Sequence, residues 1–467
     1  MNLISSVAKQ LAFDPNLIRK YDRNGPRYTS YPTADRFIEA YDGDAVKHAL
    51  ATRKIGGQTR PLSLYVHIPF CNTVCYYCAC NKIVTKNHGQ ATKYLQYLER
   101  EILMYSETVA NDGLVEKIHW GGGTPTFLRL AEIAQLMRLL KRHFNFSATC
   151  EYAIEVDPRT VDEDKIESLA ELGFNRMSIG VQDFDPAVQR AVNRIQSQEQ
   201  TFAVLDKARS AGFRSINMDL IYGLPKQTAD GFNHTLDTII AAAPDRIALY
   251  NYAHLPHHFK PQRRINESDL PSPEQKLQIM SLAVQRLTDA GYCYIGMDHF
   301  AKPDDELSMA QRQGRLHRNF QGYSSHAECD LLAFGVSAIG AIGPAYHQNY
   351  RVIDDYYDSL DRGDLPVMRG VELNADDLLR RAVIWSLMCN FDLSIEAIEV
   401  TYLIDFAEYF PTELEALKEF EKDGLVRFED DMIIVTEAGR FLVRNICMVF
   451  DRYLRLREQR TQYSKVI

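Results

Sequence analysis

Leu62-Ser-Leu-Tyr-Val-His-Ile-Pro-Phe-Cys71-Asn-Thr-Val-Cys75-Tyr-Tyr-Cys78-Ala-Cys80 is the stretch on which the fold of this 467-residue chain turns. Leu64, Val66 and Ile68 alternate with Ser63, Tyr65 and His67. An alternation of period two marks a strand whose two faces meet different surroundings. Four cysteines spaced C-x3-C-x2-C-x-C follow it at once.

The same unit repeats outward from there. Between Pro61 and about His254, β-rich runs, polar or glycine-rich loops and helical stretches follow one another, which predicts a parallel sheet. The runs are Leu62 to Phe70, Lys117 to Trp120, Glu151 to Val156, Arg176 to Val181, Ser215 to Tyr222 and Arg246 to Tyr252. Ile154 and Val156 oppose Glu155 and Asp157; Ile179 and Val181 oppose Ser178 and Gln182; Ile216, Met218 and Leu220 oppose Asn217 and Asp219. A closed barrel fills its interior with branched apolar residues, so a polar inner face predicts a hollow barrel that holds a ligand. A solvated antiparallel sheet is the competing reading, and connections of helical length speak against it. A seventh candidate strand, Tyr292 to Met297, lacks a following helix of the same kind. The expected fold is therefore α/β, an incomplete (β/α)6 TIM-like barrel with a polar lumen.

Composition sets the outer bounds. The chain is about three times a usual domain length, with 46% hydrophobic and 25% charged residues, ordinary globular values. Fifty-three Lys and Arg against 62 Asp and Glu leave a net charge of −9, which argues against extended binding to nucleic acid or an anionic membrane. Met1 to Asp14 carries one lysine and no apolar run of signal-peptide length. The most apolar window, Leu331 to Ala345, is short and interrupted by Gly335, Gly340 and Gly343. A cytoplasmic protein without a membrane span is expected.

Four regions follow. Residues 1–60 are expected to form an N-terminal covering segment, 61–300 the partial barrel, 301–371 a loop-rich cover or connector, and 372–467 a mainly helical, winged-helix-like C-terminal domain. In the last, Asn374 caps a helix with Asp376 and Asp377 in its first turn and Leu378, Leu379, Val383, Ile384 and Leu387 on its apolar stripe. A hairpin is expected over Leu425 to Val435, turning at Glu429 to Asp431, then a helix capped by Thr436. This region holds 12 basic and 19 acidic residues, net −7, which favours a packing or lid role over nucleic-acid binding.

The cysteine cluster sits in the loop after the first strand, where parallel barrels build their active sites. Three thiolates so close together call for a soft metal. Zinc needs a fourth ligand, which Cys80 or His88 could supply, as in a zinc-stabilised nucleic-acid module. A disulfide needs an oxidising compartment of which the sequence shows no sign. A 4Fe-4S cluster on three cysteines leaves one iron open to a substrate, and the spacing puts this reading ahead of zinc. Gly121, Gly122 and Gly123 end the second strand without side chains, so backbone can approach a zwitterionic ligand there. The bland alternative is a plain strand-ending turn.

C-x3-C-x2-C after a barrel strand resembles the radical S-adenosylmethionine superfamily. Gly25-Pro-Arg-Tyr-Thr-Ser-Tyr-Pro-Thr33, Leu64-Tyr-Val-His-Ile-Pro-Phe-Cys71, His119-Trp-Gly-Gly-Gly-Thr-Pro125, Asp219-Leu-Ile-Tyr-Gly-Leu-Pro225, Asn251-Tyr-Ala-His254 and His317-Arg-Asn-Phe-Gln-Gly-Tyr323 extend the resemblance to the oxygen-independent coproporphyrinogen III oxidase family, from about Leu17 to the C-terminus. The resemblance implies a 4Fe-4S cluster on Cys71, Cys75 and Cys78, with Cys80 not a ligand, and two S-adenosylmethionine molecules. Tyr65, Gly122, Glu155 and Ile339 would hold the one on the cluster. Tyr77, Gly123, Thr124, Gln182, Arg194, Asp219 and Ala253 would hold the second. Tyr77 stands where that family frequently has phenylalanine, and Ala79 where it has glycine.

The reaction so implied belongs to haem and porphyrin biosynthesis. A 5′-deoxyadenosyl radical takes a hydrogen from a propionate β-carbon of coproporphyrinogen III; loss of carbon dioxide leaves a vinyl group, and two rounds give protoporphyrinogen IX. A low-potential electron donor such as flavodoxin or ferredoxin, an acceptor the sequence does not name, and a monomeric enzyme are implied as well. Four propionates call for cations. The candidates are Arg27; Lys260, Arg263 and Arg264 after His257 and His258; and Arg312, Arg315 and Arg318. A solvated loop is the bland reading of each. The alternative function is that of a haem-carrying chaperone of the same superfamily, against which the extra Cys80 and the Arg27 to Pro32 segment speak.

Overall fold

The computed structural model describes residues 14–54, 59–109, 113–326, 329–455 and 463. The reading of Met1 to Asp14 thus lies, Asp14 apart, outside the described residues.

Six strands form where the alternation places them: β1 (Leu62–Ile68), β2 (Val115–Gly122), β3 (Phe146–Val156), β4 (Arg176–Gln182), β5 (Ser215–Tyr222) and β6 (Arg246–Asn251). Each pairs in parallel with the next. The connecting helices are α1 (His88–Val109), α2 (Leu130–His143), α3 (Glu163–Glu171), α4 (Gln198–Ser210) and α5 (Ala229–Ala242), and α6 (Pro273–Asp289) follows β6. Local chemistry explains their starts. The side chains of Asp162 and Ser197 accept bonds from the backbone of Lys165 and Gln200, and Ser272 forms a reciprocal capping box with Gln275.

Helices cover the apolar face of the sheet. Leu64, Val66, Ile68, Ile154, Ile179, Ile216, Met218 and Leu220 are buried against stripes such as Ile133, Leu136, Met137 and Leu140 of α2. Each such side chain contributes about 1.5–3 kcal/mol by leaving water. The opposite face lines the lumen with polar side chains, as the alternation predicts.

The sheet continues beyond the six units on both sides. After β6 come β8 (His299–Ala301) and β7 (Cys293–Gly296), both antiparallel. The seventh candidate is thus an edge strand and not a further barrel unit. On the other side of β1 lie β9 (Asp330–Phe334), β10 (Ile339–Ile342), β11 (Ala345–Asn349) and β12 (Val367–Glu372). β9 runs parallel to β1, whereas the rest are antiparallel. The stretch expected as a loop-rich connector therefore supplies the seventh parallel strand. All five β9 residues are buried, and a strand covered on both faces shows no alternation. A short helix, α7 (Glu306–Arg312), lies between β8 and β9.

The C-terminal region is built around α8 (Ala375–Asn390), with the Asn374–Asp377 capping box; of the expected stripe Leu379, Val383, Ile384 and Leu387 are buried and Leu378 is half-buried. The hairpin pairs Val426–Glu429 with Met432–Val435, and Asp430 takes φ 47° in its turn. Thr436 accepts from the Gly439 N–H at 3.2 Å ahead of α9 (Val443–Val449). The N-terminal segment is bound to this region: Tyr28 donates to Asp451 at 3.0 Å, Asn445 donates to the Tyr21 carbonyl at 2.7 Å, and Arg444 donates to the carbonyls of Gly25 and Pro26. Among the described residues no helix is long and apolar enough to cross a membrane.

Candidate active site

The loop after β1 is closed by a two-residue parallel pairing of Phe70–Cys71 with Ile83–Val84. His67 ties it to the strand: its Nε2 donates to the Asn81 carbonyl at 3.0 Å and its Nδ1 accepts from the Tyr65 hydroxyl at 3.0 Å. Burial lowers the His67 pKa, in keeping with this neutral role. Outside contacts hold the cysteines in place. Lys82 donates to the carbonyl of Cys78 at 3.0 Å, Asn193 to that of Val74 at 2.7 Å, and Gln262 to that of Tyr77 at 3.1 Å.

A cavity of about 670 Å³ opens at the C-terminal ends of the strands. Twelve of the fourteen sequence-predicted residues line it: Cys71, Cys75, Tyr77, Cys78, Gly122, Gly123, Thr124, Glu155, Gln182, Arg194, Asp219 and Ala253. Tyr65 stands one layer deeper, stacked on His119 at 5.9 Å. Ile339, which opens β10, packs with Phe37, Tyr346 and Leu373 and does not line the cavity. His88, offered as a fourth zinc ligand, stacks on Phe127 at 4.5 Å.

The polar network follows from strand parity. Glu155 accepts from His119 Nε2 at 3.1 Å and from the Gly122 N–H at 3.2 Å. Asp219 accepts from Ser178 at 3.0 Å and Asn217 at 2.8 Å, and burial, with Glu155 nearby, pushes its pKa up to about 6. The glycine triplet is needed more tightly than the sequence reading required. A Cβ on Gly122, which has φ +115°, would meet the His67 ring at 2.6 Å, and one on Gly123 would meet the Pro69 carbonyl at 2.7 Å. Protein groups, not a ligand alone, already occupy that space.

The thiols differ. Burial pushes Cys71 up to about 11, against a contact to Thr124 Oγ1 at 3.5 Å. A bond from Cys80, aided by Lys82, favours the Cys78 thiolate and correspondingly raises Cys80. Cys75 has two guanidinium neighbours, Arg194 at 3.7 Å and Arg159 at 3.8 Å. Both arginines also hold Asp157, at 3.2 and 2.6 Å. Arg159, Lys82 and Gln262 escaped the sequence reading; Gln262 sits among the basic candidates of its loop, with its neighbours Lys260, Arg263 and Arg264 exposed.

The donor set fits an iron–sulfur cluster: four thiols, Cys71, Cys75, Cys78 and Cys80, line the cavity, more than the three such a cluster needs, with cations placed to offset thiolate charge. Among the described residues no three His, Cys, Asp or Glu side chains converge as ligands of a single ion would. A cubane takes its cysteines at separate irons. Arg194 Nε and Asn251 Oδ1, on residues lining the cavity, are buried without partners among the described residues, as suits a site for a polar cofactor.

Residues 65–239 match the radical SAM superfamily, and 373–442 match the HemN C-terminal domain. The chain is 52% identical over 460 residues, 98% of it and 99% of the relative, to the oxygen-independent coproporphyrinogen III oxidase of Pseudomonas aeruginosa, and 50% identical over 459 residues to that of Escherichia coli, with 98% and 99% covered. A solved structure described as coproporphyrinogen III oxidase (HemN) from Escherichia coli, a radical SAM enzyme, superposes with a TM-score of 0.91 at 49% identity, over 95% of this chain and all of that one. The chain belongs to the oxygen-independent coproporphyrinogen III oxidase family. Membership of that radical SAM family implies a 4Fe-4S cluster and S-adenosylmethionine as cofactors. In this oxidase-family chain the cavity at the strand ends is where both would sit.

Proposed function

We propose that this chain catalyses the anaerobic oxidative decarboxylation of two propionates of coproporphyrinogen III to vinyl groups, giving protoporphyrinogen IX. The observation that carries it is the meeting of the cysteine loop, Cys71 to Cys80, and the polar ends of the strands on one cavity, in a chain half identical to coproporphyrinogen III oxidases over its length. When bound, the cluster and S-adenosylmethionine supply the hydrogen-abstracting chemistry.

Cys71, Cys75 and Cys78 hold the cluster, with Cys80 as a hydrogen-bonding neighbour of Cys78 and not a ligand. Tyr65, Gly122, Glu155 and Ile339 serve the S-adenosylmethionine on the cluster; for Tyr65 and Ile339, which do not line the cavity, the role is indirect, for Tyr65 through His67. Tyr77, Gly123, Thr124, Gln182, Arg194, Asp219 and Ala253 serve a second one. The carboxylates of Glu155 and Asp219 accept bonds from ribose hydroxyls or an ammonium group. Gln182 takes φ 72° at an irregularity at the end of β4, a conformation uncommon for its residue type, and so turns backbone and side chain toward the cavity. A low-potential donor such as flavodoxin or ferredoxin and an external acceptor complete the electron balance. We read the enzyme as a cytoplasmic monomer in which 1–60 and 372–467 cover the 61–300 barrel, with 301–371 between them. Enclosure of this kind protects reactive carbon radicals from side reactions.

The test is an anaerobic assay of iron-reconstituted protein with reductant, S-adenosylmethionine and coproporphyrinogen III, following protoporphyrinogen and 5′-deoxyadenosine by chromatography. Both products should form and depend on Cys71, Cys75 and Cys78. Deoxyadenosine without decarboxylation, or stable haem binding with neither product, would transfer the reading to the haem chaperone.

A further inference from the structure

Seven cations were candidates for the substrate's carboxylates, and their surroundings separate them. Lys260, Arg263, Arg264, Arg312 and Arg315 are exposed. Arg318 is instead buried and Arg27 half-buried, next to Tyr250 of the cavity wall.

Arg318 is 2% exposed. Its Nε reaches the Arg27 carbonyl at 3.4 Å and its guanidinium lies 4.7 Å over the Tyr323 ring. Its NH1 is buried with no partner among the described residues, and the ion pairs found among them include none from Arg318. A guanidinium in this state is costly, because burial strips its water and one long hydrogen bond and a ring face replace only part of it. Arg27 stands beside it, paired with Asp298 and 5.9 Å from the Tyr250 ring, which lines the active-site cavity. Burial, and then Arg318, pushes the Arg27 pKa down to about 10, yet a third of its side-chain surface is open. That open surface lies beside Tyr250 of the cavity wall. Neighbouring groups also lack partners among the described residues: Nε2 and Oε1 of Gln321, in the turn between the paired segments His317–Asn319 and Gly322–Ser324, and Nδ1 of His299, whose ring lies 5.5 Å from that of Tyr323. Asp298 is the one carboxylate paired with either arginine among the described residues.

We propose that Arg318, with Arg27 beside it, seats a carboxylate of the tetrapyrrole substrate, one of the propionates that does not react. This rests on the reading given under Proposed function. The restriction to a non-reacting propionate follows from charge. Loss of carbon dioxide turns a carboxylate into a neutral molecule, so a tight ion pair to the reacting group would stabilise the ground state and slow the step. A cation on a retained propionate holds ground state and transition state alike. Arg318 thus sets affinity and orientation, and its loss shows in KM before kcat.

The test compares wild type, Arg318→Met and Arg318→Lys by fluorescence titration with coproporphyrin III and with its tetramethyl ester, alongside thermal melting and steady-state kinetics. Arg318→Met should bind the tetra-acid about 10- to 100-fold more weakly, the scale of one lost charge-assisted bond, and bind the ester like wild type. Its KM should rise with kcat changed less than about threefold. The ligand-free melting temperature should hold or rise, since an unpaired buried charge has gone. Arg318→Lys should recover part of the affinity. Unchanged tetra-acid binding in Arg318→Met would overturn the proposal and leave the enzymatic reading standing. Equal weakening toward acid and ester, or a lowered melting temperature with unchanged KM, would make Arg318 structural and overturn it too. A wild type that neither binds coproporphyrin III nor converts the porphyrinogen would instead sink the reading on which the proposal rests.

Discussion

The two ends of the barrel lumen are built from the same strands and treat charge in opposite ways. At the N-terminal ends Lys117 pairs with Glu151 at 3.1 Å, Arg176 with Glu151 at 2.7 Å, and Arg246 with Asp305 at 2.9 Å. Burial works against the charge on Glu151, yet Lys117 and Arg176 hold its pKa well below the carboxylate range. At the C-terminal ends Glu155, four residues along β3 from Glu151, is 42% exposed to the cavity, and Asp219, on β5, is pushed toward neutrality. Matched charges hold the floor together. Incompletely matched ones at the top stand ready for a ligand.

The comparison can be broken first at the top. Ala in place of Cys71, Cys75 or Cys78 should abolish activity and bound iron, whereas Cys80→Ala should keep the iron; a colorimetric iron assay of anaerobically purified protein checks both. If Cys80→Ala loses iron as fully as the other three, the three-cysteine assignment fails.

Breaking the floor should cost stability and not chemistry. Glu151→Ala leaves Lys117 and Arg176 buried without their shared partner, and should cost about 3–5 kcal/mol in denaturant unfolding, with kcat of the folded fraction kept. An unfolding midpoint like that of wild type would show that this end does not depend on its ion pairs.

Gly122→Ala combines a left-handed backbone with a 2.6 Å approach to His67. It should lower S-adenosylmethionine affinity, read by equilibrium dialysis, by about 10-fold or more, the scale of a disturbed supporting group. Binding like that of wild type would separate the glycine from the ligand.

Asp219 sharpens the contrast through pH. Its folded pKa, about 6, is raised above the ordinary 3.8. Its contribution to stability is therefore fully present below 3.8 and lost as pH rises toward and through 6. A ligand that hydrogen-bonds to the ionised form has the opposite dependence. S-adenosylmethionine affinity should fall up to about 10-fold per unit below pH 6, and Asp219→Asn should flatten that slope. The smallest effect belongs outside the lumen: Arg263→Ala, at an exposed cation, should stay within about 0.5 kcal/mol of wild-type stability, and a larger loss in the melting curve would give that loop a role it lacks here.

Period-two alternation made the floor and the top legible before any coordinates, because each strand of the six units meets helices on one face and the lumen on the other. Parity alone places Glu155 and Asp219, position after β1 places the cysteine loop, and Gln182 reaches the face that parity expects by way of an irregularity at the end of β4. What parity cannot see is covered on both sides. β9 is buried on both faces, so its five residues read as part of an apolar window. Arg159, Lys82 and Gln262 reach the site from loops, where no periodicity speaks for direction. The resemblance to a family reached further than periodicity, yet it grouped Ile339 with residues that line the cavity, while the fold sets that side chain among Phe37, Tyr346 and Leu373.

The grip of the N-terminal segment on the C-terminal region has a consequence in time. Tyr28 and Asp451 are 423 residues apart in the chain, and the carbonyls of Gly25 and Pro26, just before Arg27, are held by Arg444. The last parallel strand of the six units ends at Asn251. From there to Asp451, 451 − 251 = 200 residues remain to be made, roughly 10–40 s of ribosomal elongation at 5–20 residues per second. Arg27 can meet Asp298 early in that interval, but the bonds to Arg444, Asn445 and Asp451 wait for its end, so the N-terminal segment is among the last parts of a newborn molecule to be locked in place.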